Sequence, residues 1–293
     1  MSGQLKEVRL RIVSVTSTQQ ITKAMKMVSA AKLRRAQDAI LQMRPYTQKM
    51  QEMLGNIVSS LSGDMHLPLA EERSVERVLI IPITSDRGTC GAYNSNVIKA
   101  AIRTIDSKYP AQKAKGNVTI LPMGKKGYEY FQRHGYKLVD EFWNMFSDLG
   151  FDNVKRAAIY AQEAFLRKEY DRVELVYSQF KNAATQVFVS EPYLPIPKVE
   201  VKENAKQTDF IFEPSKEVLI EELMPKILNT QVYKAILDAN ASEHGARMTA
   251  MDKATENAAE ILRSLKISYN RARQAAITTE LTEIVSGAAA LNG

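Results

Sequence analysis

A chain of 293 residues with 45% hydrophobic and 25% charged side chains has the make-up of one or two folded domains and excludes a low-complexity or disordered polymer. Its single cysteine, Cys90, excludes an internal disulfide, and its longest aliphatic run, Val78 to Ile83, is far too short to cross a bilayer. The net charge of +7 comes entirely from residues 1–62, which hold ten Lys and Arg against three acids and leave thirty of each sign elsewhere.

The opening MSGQLKEVRL carries neither an apolar signal core nor an Arg-rich presequence beyond the first helix, which predicts an unprocessed cytoplasmic protein. From Gly3 to Leu61 one register of alternate three and four spacing predicts a single long helix. It runs from Leu5, Val8, Ile12 and Val15 through Leu33, Ala36, Ile40 and Met43 to Met50 and Leu54. Polar residues interrupt it at Gln19, Thr22, Lys26 and Ser29. There the apolar side chains shift to Ile21, Ala24, Met25, Val28 and Ala31, which predicts that this stretch faces a third body. Pro45 predicts a kink near Arg44, and the polar run Ser59 to Asp64 ends the helix. Between Lys6 and Arg35 eight cations face only Glu7, a stripe suited to phosphates, anionic lipid or a carboxylate-rich protein.

The middle of the chain alternates. Strands are expected at Arg77–Thr84, Val118–Pro122, Tyr136–Val139, Arg172–Tyr177 and Gln186–Pro192, and helices at Ser95–Lys108, Lys125–His134 and Asp152–Lys168. Strand and helix taking turns predicts a small, mostly parallel sheet with helices on its faces. The polar, Pro-rich stretch Pro195 to Thr208 reads as a linker.

The last third, Pro214 to Leu291, repeats the 3.5-residue register of the first helix. Thirteen of the seventeen seam positions from Ile220 to Ala276 are apolar. At about 1.5 Å per residue this is a rod of about 110 Å, too long for the core of a compact domain, so it needs a partner along its length. The fold class expected is therefore α/β: a long antiparallel coiled coil of the terminal helices with an inserted, Rossmann-like, mostly parallel α/β domain. The expected boundaries are residues 1–62 for the first helix, 63–208 for the central domain with its linker, and 209–293 for the helix that pairs with the first. The last helix outruns the first, so its tip from about Tyr269 has no partner within the chain. That tip is rich in Ala, Ile, Leu and Val, a surface that must sit against another protein.

The motifs for chemistry are weak. The loop SDRGTCGAYNSN (Ser85–Asn96) lies between a strand and a helix, where glycines can cradle phosphate, but it is neither GxGxxG nor a Walker loop. Its glycines are read as a tight turn with Asn94 as N-cap. His66, His134 and His244 have no ligand spacing, and Cys90 has no base near it, so no catalytic or metal site is expected.

QQITKAMKMVSAAKLRRAQ (Gln19–Gln37) and YNRARQAAITTELTEIVSGAAAL (Tyr269–Leu291) closely resemble the gamma-subunit family of bacterial F-type ATP synthases, and SDRGTCGAYN and ASEHGARMTAM (Ala241–Met251) fall where that family has similar segments. The resemblance covers the whole length. It implies a rotor shaft without chemistry or cofactor of its own, standing in a ring of three alpha and three beta subunits. The foot would rest on the ring of c subunits beside an epsilon subunit, at the cytoplasmic face of the plasma membrane, with no insertion into the bilayer and no nucleic acid. It further implies that Lys23, Met25, Lys26, Arg34 and Arg35, with Arg273, Gln274, Thr278 and Glu280, meet the catalytic-subunit ring. Ile284, Val285, Ala288 and Leu291 would line a bearing, and Phe210, Phe212 and Glu213 would form the foot. Lys26 departs from the Glu of many relatives, which puts any salt link at that position in doubt, and the cysteine-bearing insert of the chloroplast form is absent. Two other readings stay open on residues alone: a nucleic-acid-binding protein with a basic coiled-coil arm, and a dinucleotide-dependent enzyme built on the central domain.

Overall fold

The computed structural model describes residues 2–59, 68–183, 185–196 and 216–291. Helix α1 spans Ser2–Ser59 and α6 spans Lys216–Leu291. Both lose solvent along the expected seam. On α1, Thr22, Ser29, Leu33, Ala36 and Met50 are buried; on α6, Ile227, Thr230, Leu237, Ala241, Met251, Ala258 and Leu262 are. Helical structure continues through Pro45 and through a second proline, Pro225.

The chain divides into two compact units, Met1–Ser29 with Arg247–Gly293, and Ala30–Ala246. In the first, the hydroxyls of Thr22 and Thr255 share a hydrogen bond at 2.8 Å, and Lys26 Nζ lies 2.5 Å from Asp252 Oδ1. Numbering rises along one helix as it falls along the other, so the pair is antiparallel.

The second unit holds the sheet. In order come β1 (Val78–Pro82), α2 (Tyr93–Lys108), α3 (Pro110–Ala114), β2 (Val118–Ile120), α4 (Lys125–Arg133), β3 (Lys137–Leu138), α5 (Phe151–Leu166), β4 (Arg172–Phe180) and β5 (Gln186–Leu194). The strand order is β3-β2-β1-β4-β5. The first four strands are parallel and β5 is antiparallel to β4. Helices cover both faces, which is why β1 reads as an unbroken apolar run. Leu79, Ile81 and Ile83 point into a core with α5 and α6, and Val78 and Ile80 point to the opposite face, packed by α2 and Phe131 of α4.

Within this unit α6 is buried on two sides. The seam positions Ile227, Thr230, Leu237 and Ala241 occupy one, and Leu228, Val232, Ala235, Ile236 and Ala239 join the sheet core from the other. At ~3.6 residues per turn the two sets lie on roughly opposite sides of the helix. The second stripe was not anticipated.

One carboxylate is buried in the sheet. Glu174 of β4 accepts from Lys108 Nζ at 2.9 Å, the Tyr109 hydroxyl at 2.7 Å and Ser190 Oγ at 2.8 Å, partners that make a buried charge tolerable. Burial and the neighbouring Glu174 push the Tyr109 phenol above its ordinary range; burial and Glu191 do the same to Tyr177, and burial alone to Tyr193. Tyr160 is pushed up to about 12 by burial and by Tyr170. The fold therefore holds these phenols neutral. The stability linked to them is fully present below the unfolded value of about 10 and is lost as pH rises past it, because the unfolded chain then releases protons that the fold retains. Unfolding midpoints should fall steeply between about pH 10 and 12, and phenolate absorbance of these tyrosines should appear only with unfolding. Complete tyrosine titration near pH 10 in the folded chain would contradict this.

Candidate functional site

The loop between β1 and α2 sits where a doubly wound sheet binds ligands, at the carboxyl ends of the strands. Its oxygens already take the N–H donors at the start of α4. Asp86 Oδ1 accepts from Lys125 N at 3.0 Å, the carbonyl of Ser85 accepts from Lys126 N at 3.1 Å, and Thr84 Oγ1 accepts from Gly127 N at 2.8 Å. The N–H groups at the start of α4, which would otherwise face a phosphate, are thus satisfied by the chain's own oxygens. Asn94 is not the N-cap of α2. That position is Ala92, and Asn94 lies inside the first turn, where its Oδ1 accepts from Ser85 N at 2.9 Å and its Nδ2 donates to Ser85 Oγ at 2.8 Å and Cys90 Sγ at 3.2 Å. Asn94 therefore ties the loop shut, while Gly91, at φ 59°, supplies the left-handed turn. This geometry favours a structural loop over a nucleotide cradle.

The exposed faces of the two long helices are the stronger candidate. On α1, Lys23, Arg34 and Arg35 are exposed and, among the described residues, unpaired. Met25 is half-buried, but Ile21 beside it is 60% exposed, and Ala24, Val28 and Ala31 are exposed as well. The shifted apolar stripe thus leaves the seam and has no cover among the described residues.

Lys26 differs from the other cations because it is held by Asp252, and at 41% and 44% exposure this pair contributes about 0.2–1 kcal/mol. The ion pair that Lys26 makes here lies within the chain, with α6 supplying the acid. Asp252 was missed because it stands off the seam. The Lys26→Glu variant should lose this contribution and meet repulsion from Asp252, and adding Asp252→Lys should restore the parent midpoint. Additive losses in a double-mutant cycle of denaturation midpoints would show that the two do not interact.

On α6, Ala272 and Ala276 are still half-buried, whereas Ile277, Leu281, Ile284 and Val285 are 48%, 58%, 68% and 67% exposed. The bare tip thus begins near Ile277, about two turns later than Tyr269. Arg273, Gln274, Thr278 and Glu280 are exposed on adjoining turns, and Ala288 lies further along the exposed tip. The Thr278 hydroxyl donates to the Gln274 carbonyl at 2.9 Å, while the side chains of Arg273 and Gln274 have no partner among the described residues. Leu291 ends α6, and Phe210, Phe212 and Glu213 lie outside the described residues. No described helix is long and apolar enough to cross a membrane, and no described cluster of His, Cys, Asp and Glu has the grouping to hold a metal.

A family model described as ATP synthase matches residues 4–291. Over 291 residues the chain is 53% identical to the ATP synthase gamma chain of Cytophaga hutchinsonii, covering 98% of this chain and 99% of that one. It is 51% identical to the ATP synthase gamma chain of Flavobacterium johnsoniae, covering 99% and 100%. In fold it is similar to a chain of the Euglena gracilis mitochondrial ATP synthase, with a TM-score of 0.69 at 23% identity over 99% of this chain and 95% of that one. It is also similar to a chain of the Tetrahymena thermophila mitochondrial ATP synthase central stalk and c-ring, with a TM-score of 0.56 at 27% identity over 80% and 99%. A match along the whole chain, with relatives at about half identity over their full length, means that the chain belongs to the ATP synthase gamma chain family.

Proposed function

We propose that this chain, the central-stalk rotor subunit of an F-type ATP synthase, couples rotation of a c-subunit ring to ATP synthesis or hydrolysis by presenting different helix faces in turn to three alpha and three beta subunits. The observation that carries the reading is the exposed aliphatic tip of α6 beyond Ala276, which a free protein would not leave bare. The shaft has no catalytic site of its own. Being asymmetric inside a threefold ring, it meets each beta subunit with a different surface. One orientation favours an open catalytic site and another a closed one, a shift that needs only differential contacts. Lys23, Met25, Lys26, Arg34 and Arg35 on α1, with Arg273, Gln274, Thr278 and Glu280 on α6, are the surfaces assigned to that ring. The bearing is Ile284, Val285, Ala288 and Leu291.

The shaft comprises residues 1–62 and 209–293, and the domain with its linker, 63–208, forms the foot beside an epsilon subunit. The c-ring contact lies at Phe210, Phe212 and Glu213. The subunit is peripheral, at the cytoplasmic face of the plasma membrane. In the assembled enzyme, Phe210→Cys should crosslink to a cysteine in a c-subunit loop and stop rotation. Crosslinking only to alpha or beta would invert the assigned polarity of the shaft, and salt-sensitive RNA binding without co-purification of alpha and beta would favour the basic-arm alternative.

A further inference from the structure

We propose that a buried hydrogen-bonded joint centred on Gln162 is where the α/β domain passes torque into α6; this rests on the rotor reading above. Gln162 of α5 spends both hydrogens of its amide nitrogen, donating to the Tyr193 hydroxyl of β5 at 3.0 Å and to Asn229 Oδ1 of α6 at 2.9 Å. All three residues are nearly or fully buried. Further along α6, the Tyr93 hydroxyl at the start of α2 donates to the Ala239 carbonyl at 3.1 Å, and Ser242 Oγ donates to the Ser178 carbonyl of β4 at 3.1 Å. From Asn229 to Ser242 the joint extends about 20 Å along the helix.

The arrangement differs from ordinary core packing in a way that matters for a turning part. The second apolar stripe of α6 holds the domain by burial, which is non-directional. Hydrogen bonds are directional and weaken steeply when misaligned, so they resist shear about the helix axis. The joint links α6 to both strands at the antiparallel edge of the sheet and to two helices, so a twist applied to the domain reaches α6 through four elements together. Nothing in the seam between α1 and α6 requires these polar side chains. They lie on the face of α6 that the domain occupies.

The test uses the assembled enzyme, fixed through its catalytic ring, with a filament attached at Lys99→Cys. That position is exposed on α2, and the native Cys90 is buried. The variant Gln162→Met with Asn229→Leu conserves volume and removes the central bonds. ATP hydrolysis per complex and the rotation of a short, low-drag filament should stay within two-fold of the parent, while the torque sustained with long, high-drag filaments should fall at least two-fold. An unchanged torque across the drag series would overturn the proposal. A second variant, Tyr93→Phe with Ser242→Ala, removes the two outer bonds with little change of volume and decides the matter if the first does not assemble. It should lose torque at high drag in the same way, and parent torque across the drag series would mean that the joint is not a torque path. Failure of the parent enzyme to turn the filament with ATP would instead sink the rotor reading itself.

Discussion

Gly124→Ala is expected to lower the stability of the α/β domain by about 3 kcal/mol or more, from backbone strain of about 1–3 kcal/mol and overpacking of similar size. Gly124 stands at φ 116° immediately before α4, a conformation essentially confined to glycine. A Cβ there would lie 2.2 Å from the Thr84 carbonyl oxygen and 2.6 Å from its carbon and from Thr84 Oγ1. These are mainly backbone atoms that cannot swing aside. Moving them would disturb the Thr84 hydroxyl, which donates to the Gly124 carbonyl at 3.2 Å and accepts from Gly127 N at 2.8 Å. Urea unfolding followed by the single tryptophan is a direct readout, since the Trp143 carbonyl accepts from Gly124 N at 2.9 Å. Gly88→Ala serves as the control, because its added Cβ meets nothing within 4 Å and its φ is not positive. Equal midpoints for the two variants would refute the assignment of strain.

The pair Arg273→Ala with Gln274→Ala should lower turnover per assembled enzyme about tenfold or more, whereas removal of residues 284–293 should weaken assembly yet leave coupled activity measurable. The difference follows from the kinds of contact available. Arg273 and Gln274 are exposed and without side-chain partners among the described residues, so their hydrogen-bonding capacity is free for another subunit. Bonds to a charged group contribute roughly 1.5–3 kcal/mol when shielded from water, and about 1.4 kcal/mol is a tenfold change in rate. Ile284, Val285 and Ala288 can only exclude water, which suits a loose bearing. ATPase and ion pumping, each normalised to assembled complex, distinguish the two variants. Loss of rotation in intact truncated complexes beside a silent double alanine would mean that grip and bearing are assigned the wrong way round along α6.

Of the fold, the seams were legible because a 3.5-residue register is a local property of each helix, and burial at Leu33, Ala36, Ile227, Leu237 and Leu262 follows it. The alternation of strand and helix was legible for the same reason. The edge strand was less so: β5 pairs antiparallel to β4 through a hairpin, and periodicity cannot assign strand direction. Asn94 was misplaced because a helix cap and a loop tie use the same side-chain oxygen. Only the positions of Ser85 and Cys90 decide between them.

The sequence by itself determined the two long helices, their antiparallel pairing through an inserted α/β domain, the basic first helix and the exposed aliphatic end of the last. Each is set by the order and spacing of residue types along one stretch of chain. Only the tertiary structure decided which side of α6 carries the domain, since between Leu228 and Ala246 the helix is apolar on more than one face and no period singles out one of them. It also decided that Lys26 is held by Asp252, that Gln162 reaches Asn229 and Tyr193, and that Glu174 accepts from Lys108, Tyr109 and Ser190. These contacts join residues far apart in sequence, and a polar side chain shows no trace of its partner until folding removes the water that would otherwise take that partner's place.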